Sequence, residues 1–475
     1  MRDVLFSLLI IYILSTPLTA FAKKIDLPSY ISHVLIESNE ALNIQSDISL
    51  SGYSQNLAEQ GFEIEWTPNS QASKSNNSDS ASIGIEANRR TTWGPEFTVG
   101  VKHAFVGEDI TTNYAEVNLG LFREWGSRYI RSPLTSAEIQ HNQTLLNAVK
   151  RKQELISKAI SSYYQVLESN LLLKQSEDAV SRASRNLDVA KSRQILGLTD
   201  KVDVYRAQLS LLNSKESYKR QQRTYTRSLR SYRELMGPDA DDANIVNNLR
   251  QIHVFYPDAW EERIFSLNID WQIHLLDKQT SELGLYVAER NTLPDLELFV
   301  AADKQYQQDA LLNDDHNWTI GLRVSSTLGL KREKSLLSQE RIRHQQLKRR
   351  DHQLKRDILA EMHDSLDEYD SLLERFRIAT AKLAQSQRSL ELTSLRFQRG
   401  VSSNLDQIEA QESLNQAEID VVQQQIDLSL QAVKIALTLG VLTPEWLNMA
   451  LNQEAALNQK TAENTSEQKE YGPTQ

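Results

Sequence analysis

Apolar residues recur at intervals of seven in two long stretches of the chain. The recurring residues are Leu211, Tyr218, Tyr225 and Tyr232 in the first stretch, and Leu414, Val421, Leu428 and Ile435 in the second. This spacing is typical of a coiled-coil seam. The segments ahead of the seams, Pro133–Gly197 and Lys331–Gly400, contain no internal proline or glycine. Each segment predicts one helix of about sixty residues and about 90 Å, which other helices must support from the side.

Two pairs of short segments alternate apolar and polar residues, which predicts β-strands. The four segments are Glu96–Val101 and Ala115–Phe122, then Leu296–Val300 and Trp318–Val324. Pro95 and Pro294 stand just ahead of the first strand of each pair, where a missing backbone N–H is tolerated. The pattern therefore predicts two hairpins, each followed by a long helix.

The chain aligns with itself without gaps when it is shifted by 203 residues, so that Ala115–Gly237 falls on Trp318–Gly440. The matched residues include Gly126 with Gly329, Gly197 with Gly400, Asp203 with Asp406, and Gly237 with Gly440. A register kept over such a length indicates an internal duplication. The duplicated unit is two strands, a long helix, a turn and a second helix.

This duplication divides the chain into eight parts. They are a signal peptide at 1–22, an N-terminal helical segment at 23–61, a first β segment with a polar insertion at 62–126, a first long helix, turn and helix at 127–237, connecting helices at 238–290, a second β hairpin at 291–330, a second long helix, turn and helix at 331–440, and a C-terminal segment with a disordered tail at 441–475. The insertion, Asn69–Ser80, has no counterpart in the second copy and predicts an extra hairpin or a surface-exposed loop.

The first 22 residues have the features of a secretory signal peptide. Arg2 precedes the apolar run Val4–Leu14, and Ala20-Phe21-Ala22 fits the small-x-small cleavage pattern. An uncleaved anchor is the alternative, but the apolar run is shorter than the roughly 20 residues of a spanning helix. No later segment has such a run, so entry into a membrane would require a closed β-barrel.

Composition excludes several classes of function. The formal net charge is -10, which argues against a nucleic-acid binder. The absence of cysteine excludes disulfides, thiolate metal sites and a cysteine nucleophile. No phosphate-binding loop and no His-x-x-x-His zinc motif occurs, so no cofactor, no metal and no enzyme activity are expected.

With this plan, nearly the whole mature chain resembles the TolC family of outer-membrane efflux proteins. The most specific motifs are the two helix turns, Arg193–Val204 and Arg396–Gln407, with Ala-Gln beginning four residues after the Asp in each. Leu235-Met236-Gly237 and Leu439-Gly440 resemble the family's helix-ending Leu-Gly.

The resemblance implies a mainly α fold with a small β part. Three protomers would assemble, each giving four strands to one shared transmembrane β-barrel in outer-membrane lipid. Their helices would form a coiled-coil barrel, which is the periplasmic tunnel. The implied function is a passive exit duct of a tripartite efflux or type I secretion system. An inner-membrane pump would deliver substrates to it through a periplasmic adaptor protein.

The resemblance also suggests which residues form the gate. The family places constricting acids six and nine residues past the second turn glycine, and here these positions hold Asp406 and Glu409. The equivalent of Asp406 in the first copy, Asp203, is a possible gate partner. The family joins that acid to a tyrosine and a basic residue, but these positions hold Phe397 and Ser402. We therefore expect the resting gate to be held differently or more weakly.

The turns are the expected adaptor contacts. Gly197 and Gly400 let the chain reverse, and Leu198 and Val401 are expected to lie exposed at the tips. Turn formation alone would also explain the two glycines.

Two other classes of function fit the sequence less well than a channel. A structural coiled-coil envelope protein without a pore would explain the seven-residue spacing, but not the paired strands or the duplication. A periplasmic hydrolase lacks any grouping of a nucleophile with a base.

Overall fold

The computed structural model describes residues 24–74, 79–105, 110–197, 199–237, 244–245, 249–254, 259–307, 315–325 and 329–452. The predicted signal peptide at 1–22 and the polar tail Lys460–Gln475 lie outside these ranges. In chain order, the elements are β1 (Lys24–Ile25), α1 (Leu27–Glu37), α2 (Asn39–Gln60), β2 (Glu65–Lys74), β3 (Asp79–Arg90), β4 (Glu96–Ala104), β5 (Ile110–Gly120), α3 (Ser127–Ile130), α4 (Ser132–Ile195), α5 (Lys201–Met236), β6 (Asn244–Ile245), α6 (Trp260–Leu267), α7 (Ile269–Arg290), β7 (Asp295–Gln307), β8 (Asp315–Ser325), α8 (Lys331–Gln398) and α9 (Asn404–Leu439). Residues 444–452 are also helical.

The chain forms two compact units. The coiled-coil unit contains the residues up to Asn43, Lys150–Leu267 and the residues from Ile358 onward. The sheet unit contains Ile44–Val149 and Asn268–Asp357. Within the described ranges, no helix combines the length and the apolar character that crossing a membrane requires.

The predicted long helices are confirmed by α4, with 64 residues, and α8, with 68 residues. Their partners α5 and α9 both contain 36 residues, and their first residues, Lys201 and Asn404, are 203 positions apart. The duplication found in the sequence is therefore a duplication of structure. In both copies the second helix begins right after a glycine-containing turn.

Four of the eight predicted seam residues are buried, and the other four are partly buried. The buried ones are Tyr232, Leu414, Leu428 and Ile435. The Tyr232 ring stacks on Tyr30 of α1 with ring centroids 4.2 Å apart. The Tyr30 hydroxyl donates a hydrogen bond to the Tyr232 carbonyl oxygen over 3.2 Å. Burial of these rings stabilises the side-by-side packing that helices of this length need.

The sheet unit contains a six-stranded antiparallel sheet in the order β2-β3-β4-β5-β7-β8. The four predicted strands correspond to β4, β5, β7 and β8. The hairpin alternative for the polar insertion is confirmed, because Asn69–Ser80 contributes to β2 and β3. The sheet of this chain therefore has two strands more than the four that the resemblance implies for each protomer's share of a barrel.

Shorter helices occupy part of the predicted connecting segment 238–290. They are α6 and α7, and α7 begins after Asn268, whose side chain accepts a hydrogen bond from the Trp271 backbone N–H over 2.9 Å. Residues 238–243, 246–248 and 255–258 of this segment lie outside the described residues.

Candidate functional site

The second helix turn joins α8 to α9 and is built around Gly400. Its φ of 77° lies in the left-handed region, which glycine adopts without the strain of a Cβ. The Gly400 backbone N–H donates to the Phe397 carbonyl oxygen over 3.0 Å, and the Val401 N–H donates to the Arg396 carbonyl oxygen over 2.9 Å. These bonds satisfy carbonyl groups at the end of α8 that would otherwise lack a partner.

A capping box starts α9. The Asp406 N–H donates to the Ser403 hydroxyl oxygen over 3.1 Å, and the Ser403 N–H donates to Oδ2 of Asp406 over 2.9 Å. The Ser402 hydroxyl donates to the same Oδ2 over 2.8 Å. Ser402, which stands where the family has a basic residue, thus holds the acid of its own turn.

Asp406 and Glu409 are both exposed on α9. They are three residues apart, so they lie on one face of the helix about one turn apart. The hydrogen bond from the Ser402 hydroxyl, followed by that from the Ser403 N–H, lowers the pKa of the Asp406 carboxyl below its usual value. Asp406 therefore presents negative charge at neutral pH.

The first turn repeats part of this arrangement. Gly197 has a φ of 71°, and the Thr199 hydroxyl, equivalent to that of Ser402, donates to Oδ2 of Asp203. Oδ1 of Asp203 lies 3.7 Å from Nη1 of Arg206. The half-buried carboxylate of Asp203 is therefore engaged within its own turn. Leu198 lies outside the described residues.

Apolar side chains are exposed next to both turns. Val401 is 78% exposed, and Ile195 and Leu196 at the end of α4 are 84% and 71% exposed. Val401 thus has the exposed position that the sequence predicted for it.

The two turns are tied together by contacts that the sequence reasoning did not find. Nη1 of Arg193, on α4, donates to the Phe397 carbonyl oxygen over 2.7 Å, and its guanidinium carbon lies 4.6 Å from the centre of the Phe397 ring. Nδ2 of Asn404, on α9, donates to the Asp203 carbonyl oxygen over 3.0 Å. Phe397 is buried, and its ring packs beneath Arg193. It has no hydroxyl group that could bond to Asp203.

Only one part of this arrangement had a local signal in the sequence. Ser403 followed three residues later by Asp406 has the spacing of a capping box. Arg193 and Asn404 had no local signal, because each donates its hydrogen bond to a residue some two hundred positions away. Together, these residues can present acids and apolar side chains at the turns and hold the turns against one another.

Comparisons with known proteins give a matching family profile and a set of similar folds. A family profile described as "Outer membrane efflux protein" matches residues 285–441. No curated protein sequence matches the chain.

Several solved structures share the fold. The chain is similar to the outer membrane protein VceC from Vibrio cholerae, with 14% identity and a TM-score of 0.68, covering 87% of this chain and 96% of that one. It is similar to the CmeC outer membrane channel of Campylobacter jejuni, with 12% identity and a TM-score of 0.69, covering 88% and 86%. It is also similar to the open state of the MtrE outer membrane channel of Neisseria gonorrhoeae, with 13% identity and a TM-score of 0.67, covering 88% and 90%.

The profile match and the shared fold confirm the resemblance to the TolC family of outer-membrane efflux proteins. The profile match supports the expected class of function, an outer-membrane efflux channel subunit, and its location in the outer membrane, while the solved structures show that the fold is shared.

Proposed function

We propose that three copies of this chain form a passive outer-membrane exit duct, supplied by an inner-membrane pump through a periplasmic adaptor. Tripartite efflux and type I secretion are both compatible with this role, and no catalytic step is assigned to the chain. One observation carries the proposal. The chain contains both an open six-stranded sheet and a duplicated coiled coil, and it shares its fold with CmeC and MtrE. An open sheet needs further copies to pair its two edges.

Within the duct, we propose that Asp406 and Glu409 line the periplasmic constriction. Both acids are exposed on one face of α9, and in a trimer each would form a ring of three carboxylates. Rings of like charge in a narrow pore attract cations and repel anions. The capping box supports this role because it fixes the backbone beside Asp406.

We infer that the resting latch consists of the two ties between the turns. Arg193 joins the end of α4 to the end of α8, and Asn404 joins α9 to α5. These ties take the place of the family's links to a tyrosine and a basic residue, because this chain has Phe397 and Ser402 at those two positions. Asp203 contributes its backbone carbonyl oxygen, whereas its carboxylate stays within the first turn.

The adaptor is expected to contact the apolar side chains at the turns, and Val401 is the exposed apolar residue of the second turn. A Val401→Asp channel should support efflux about tenfold less well, because a carboxylate buried in an apolar contact costs more than 1.4 kcal/mol, or about one order of magnitude in affinity. The measurement is complementation of a strain lacking this gene, against compounds to which the deletion sensitises it.

Val401→Thr is the matched control, since it keeps the size of the side chain without adding charge. Complementation should survive this change. Full complementation by Val401→Asp would show that the exposed valine only completes the turn.

The proposal as a whole is tested with the purified mature chain. Native mass spectrometry in detergent should show a trimer, and liposomes containing it should swell in isotonic solutions of small sugars once the turns are opened by Arg193→Met. A stable monomer, or trimers that leave the liposomes sealed to every sugar, would favour a structural coiled-coil protein.

A further inference from the structure

One face of the six-stranded sheet is apolar and exposed from edge to edge. Its large side chains are Trp66 on β2, Ile83 and Ile85 on β3, Phe97, Val99 and Val101 on β4, Val300 on β7, and Trp318, Ile320, Leu322 and Val324 on β8. The strand register places them all on the same face, for example through the pairs Val99 with Ala87 and Ile320 with Val300. Such a surface fits contact with lipid.

The opposite face is polar and linked by charge. Nη1 of Arg323 on β8 lies 2.8 Å from Oε2 of Glu297 on β7, and Asn88 on β3 donates to Oε1 of Glu96 on β4 over 2.8 Å. A sheet that is apolar on one face and polar on the other has the alternation of a transmembrane barrel wall. The extra hairpin, β2 with β3, follows the same alternation as the other four strands.

A side-chain bridge fastens the extra hairpin to the rest of the sheet. The Tyr114 hydroxyl on β5 donates to Oε2 of Glu86 on β3 over 2.7 Å, and so reaches across β4. It passes over Gly100, where any side chain would collide with the Tyr114 ring. In addition, β3 pairs with β4 over nine residues, from Ser82 to Arg90. The hairpin is therefore part of the sheet and not an appendage of it.

The internal duplication shows where the two extra strands entered. The helices ahead of the strands, α2 and α7, each contain 22 residues. Each carries a serine that faces the repeat-related histidine of the following long helix, with Ser51 Oγ 2.9 Å from Nδ1 of His141 and Ser281 Oγ 3.5 Å from Nδ1 of His344.

The spacing after these helices fixes the equivalent strand. β2 starts five residues after the end of α2, at Gln60, and β7 starts five residues after the end of α7, at Arg290. β2 therefore occupies the position at which the wall begins in the second copy. The first copy contributes four strands, β2 to β5, where the second contributes two.

We propose that β8 of one protomer pairs with β2 of the next, so that three copies close a wall of eighteen strands, six from each chain. This proposal rests on the trimer proposed above. β2 and β8 are the two edges of the sheet, with 10 and 11 residues. That length matches the roughly 9–11 residues of a membrane-spanning strand. Each backbone N–H and C=O group on an edge left unpaired in lipid would cost free energy, because lipid offers it no hydrogen-bond partner.

The direction of the strands permits this closure. The strands alternate in direction through the sheet, so β2 and β8 run in opposite directions and can pair as antiparallel neighbours. With strands about 4.8 Å apart and tilted by about 40°, eighteen strands give a barrel about 36 Å wide, against about 24 Å for twelve. The outer opening would be half as wide again as in a four-strand family member.

Cysteine cross-linking tests the pairing, and the chain helps because it contains no cysteine. Ser70→Cys on β2 is combined with Trp318→Cys, Ile320→Cys or Leu322→Cys on β8, all on the apolar face. A short bis-methanethiosulfonate reagent should convert at least one of these double variants into covalent dimers and closed trimers on denaturing gels. Opposite side chains in paired strands have Cβ atoms only about 4.5–5.5 Å apart.

A twelve-stranded wall predicts a different pair. If the extra hairpin lay outside the wall, β8 would meet β4 of the next protomer, and Val99→Cys with Ile320→Cys would cross-link instead. That result, or trimers in which no Ser70→Cys combination cross-links, would overturn the proposal while leaving the trimer intact. Native mass spectrometry without the reagent separates the two questions, because the absence of trimers would overturn the proposed function and this pairing with it.

Discussion

Replacing Asp406 by Asn and Glu409 by Gln is expected to remove most of the channel's preference for cations. The two changes delete six carboxylates from the trimer while keeping the size of each side chain. A change of about 1 kcal/mol in the energy of an ion at the constriction corresponds to about a fivefold fall in the cation-to-anion permeability ratio. The measurement is the reversal potential of single channels in a KCl gradient.

Asparagine can still accept the N–H of Ser403, so the capping box keeps its geometry and α9 should not fray. Glu216→Gln is the matched control, since Glu216 is an exposed acid on α5 away from the turns. If Glu216→Gln changes the reversal potential as much as the double variant does, the selectivity does not come from Asp406 and Glu409.

The selectivity should also resist acidification. The pKa of Asp406 is lowered by its hydrogen bonds, so the folded state binds the proton less tightly than the unfolded chain does. The charge and the capping contribution are therefore fully present above the ordinary pKa of aspartate. Both are lost as the pH falls through the lowered value. In a Glu409→Gln channel, the cation preference measured by the reversal potential should be lost at a lower pH than the ordinary pKa of aspartate. A loss centred at or above that ordinary pKa would show that the bonds to Ser402 and Ser403 are not kept in the trimer.

The Arg193→Met channel is expected to open at rest far more often than the wild type. Methionine keeps the apolar stem, but it removes the hydrogen bond to the Phe397 carbonyl oxygen and the cation over the Phe397 ring. A charged hydrogen bond of this kind contributes about 1.5–3 kcal/mol, and the cation–π contact about 0.5–1 kcal/mol. A loss of about 2 kcal/mol raises the population of open states about thirtyfold, which single-channel open probability measures.

Arg185→Met is the matched control, because Arg185 is an exposed arginine on the same helix, farther from the turn. It should leave the open probability unchanged. Arg193→Lys should resemble Arg193→Met more than the wild type, since an ammonium group does not reproduce the flat guanidinium that lies over the ring. An Arg193→Met channel that conducts but opens no more often than the wild type would exclude this tie as the latch.

Much of the architecture could be predicted because its signals are local. Seven-residue spacing predicts a coiled coil whatever the partner is, and Leu428, Ile435 and Tyr232 are buried as that spacing requires. The turn glycines were recognisable because only a few residue types accept a positive φ. The duplication then transferred the assignments of the strand pair, the long helix, the turn and the second helix from one copy to the other.

The remaining features depend on contacts between distant parts of the chain. Arg193 and Phe397 are 204 residues apart, and their meeting depends on how the helices are rotated against each other. The Asn- and Ser-rich composition of Asn69–Ser80 favours a loop, but pairing with β3 makes the first part of it a strand. The resemblance suggested four strands because it describes the family, whereas the extra hairpin belongs to this chain.

Single-channel recording of the purified mature protein in planar bilayers tests the central claim most directly. A channel subunit predicts discrete openings that prefer cations, rare in the wild type and frequent in Arg193→Met. A correctly folded trimer of the Arg193→Met variant that never conducts would contradict the channel.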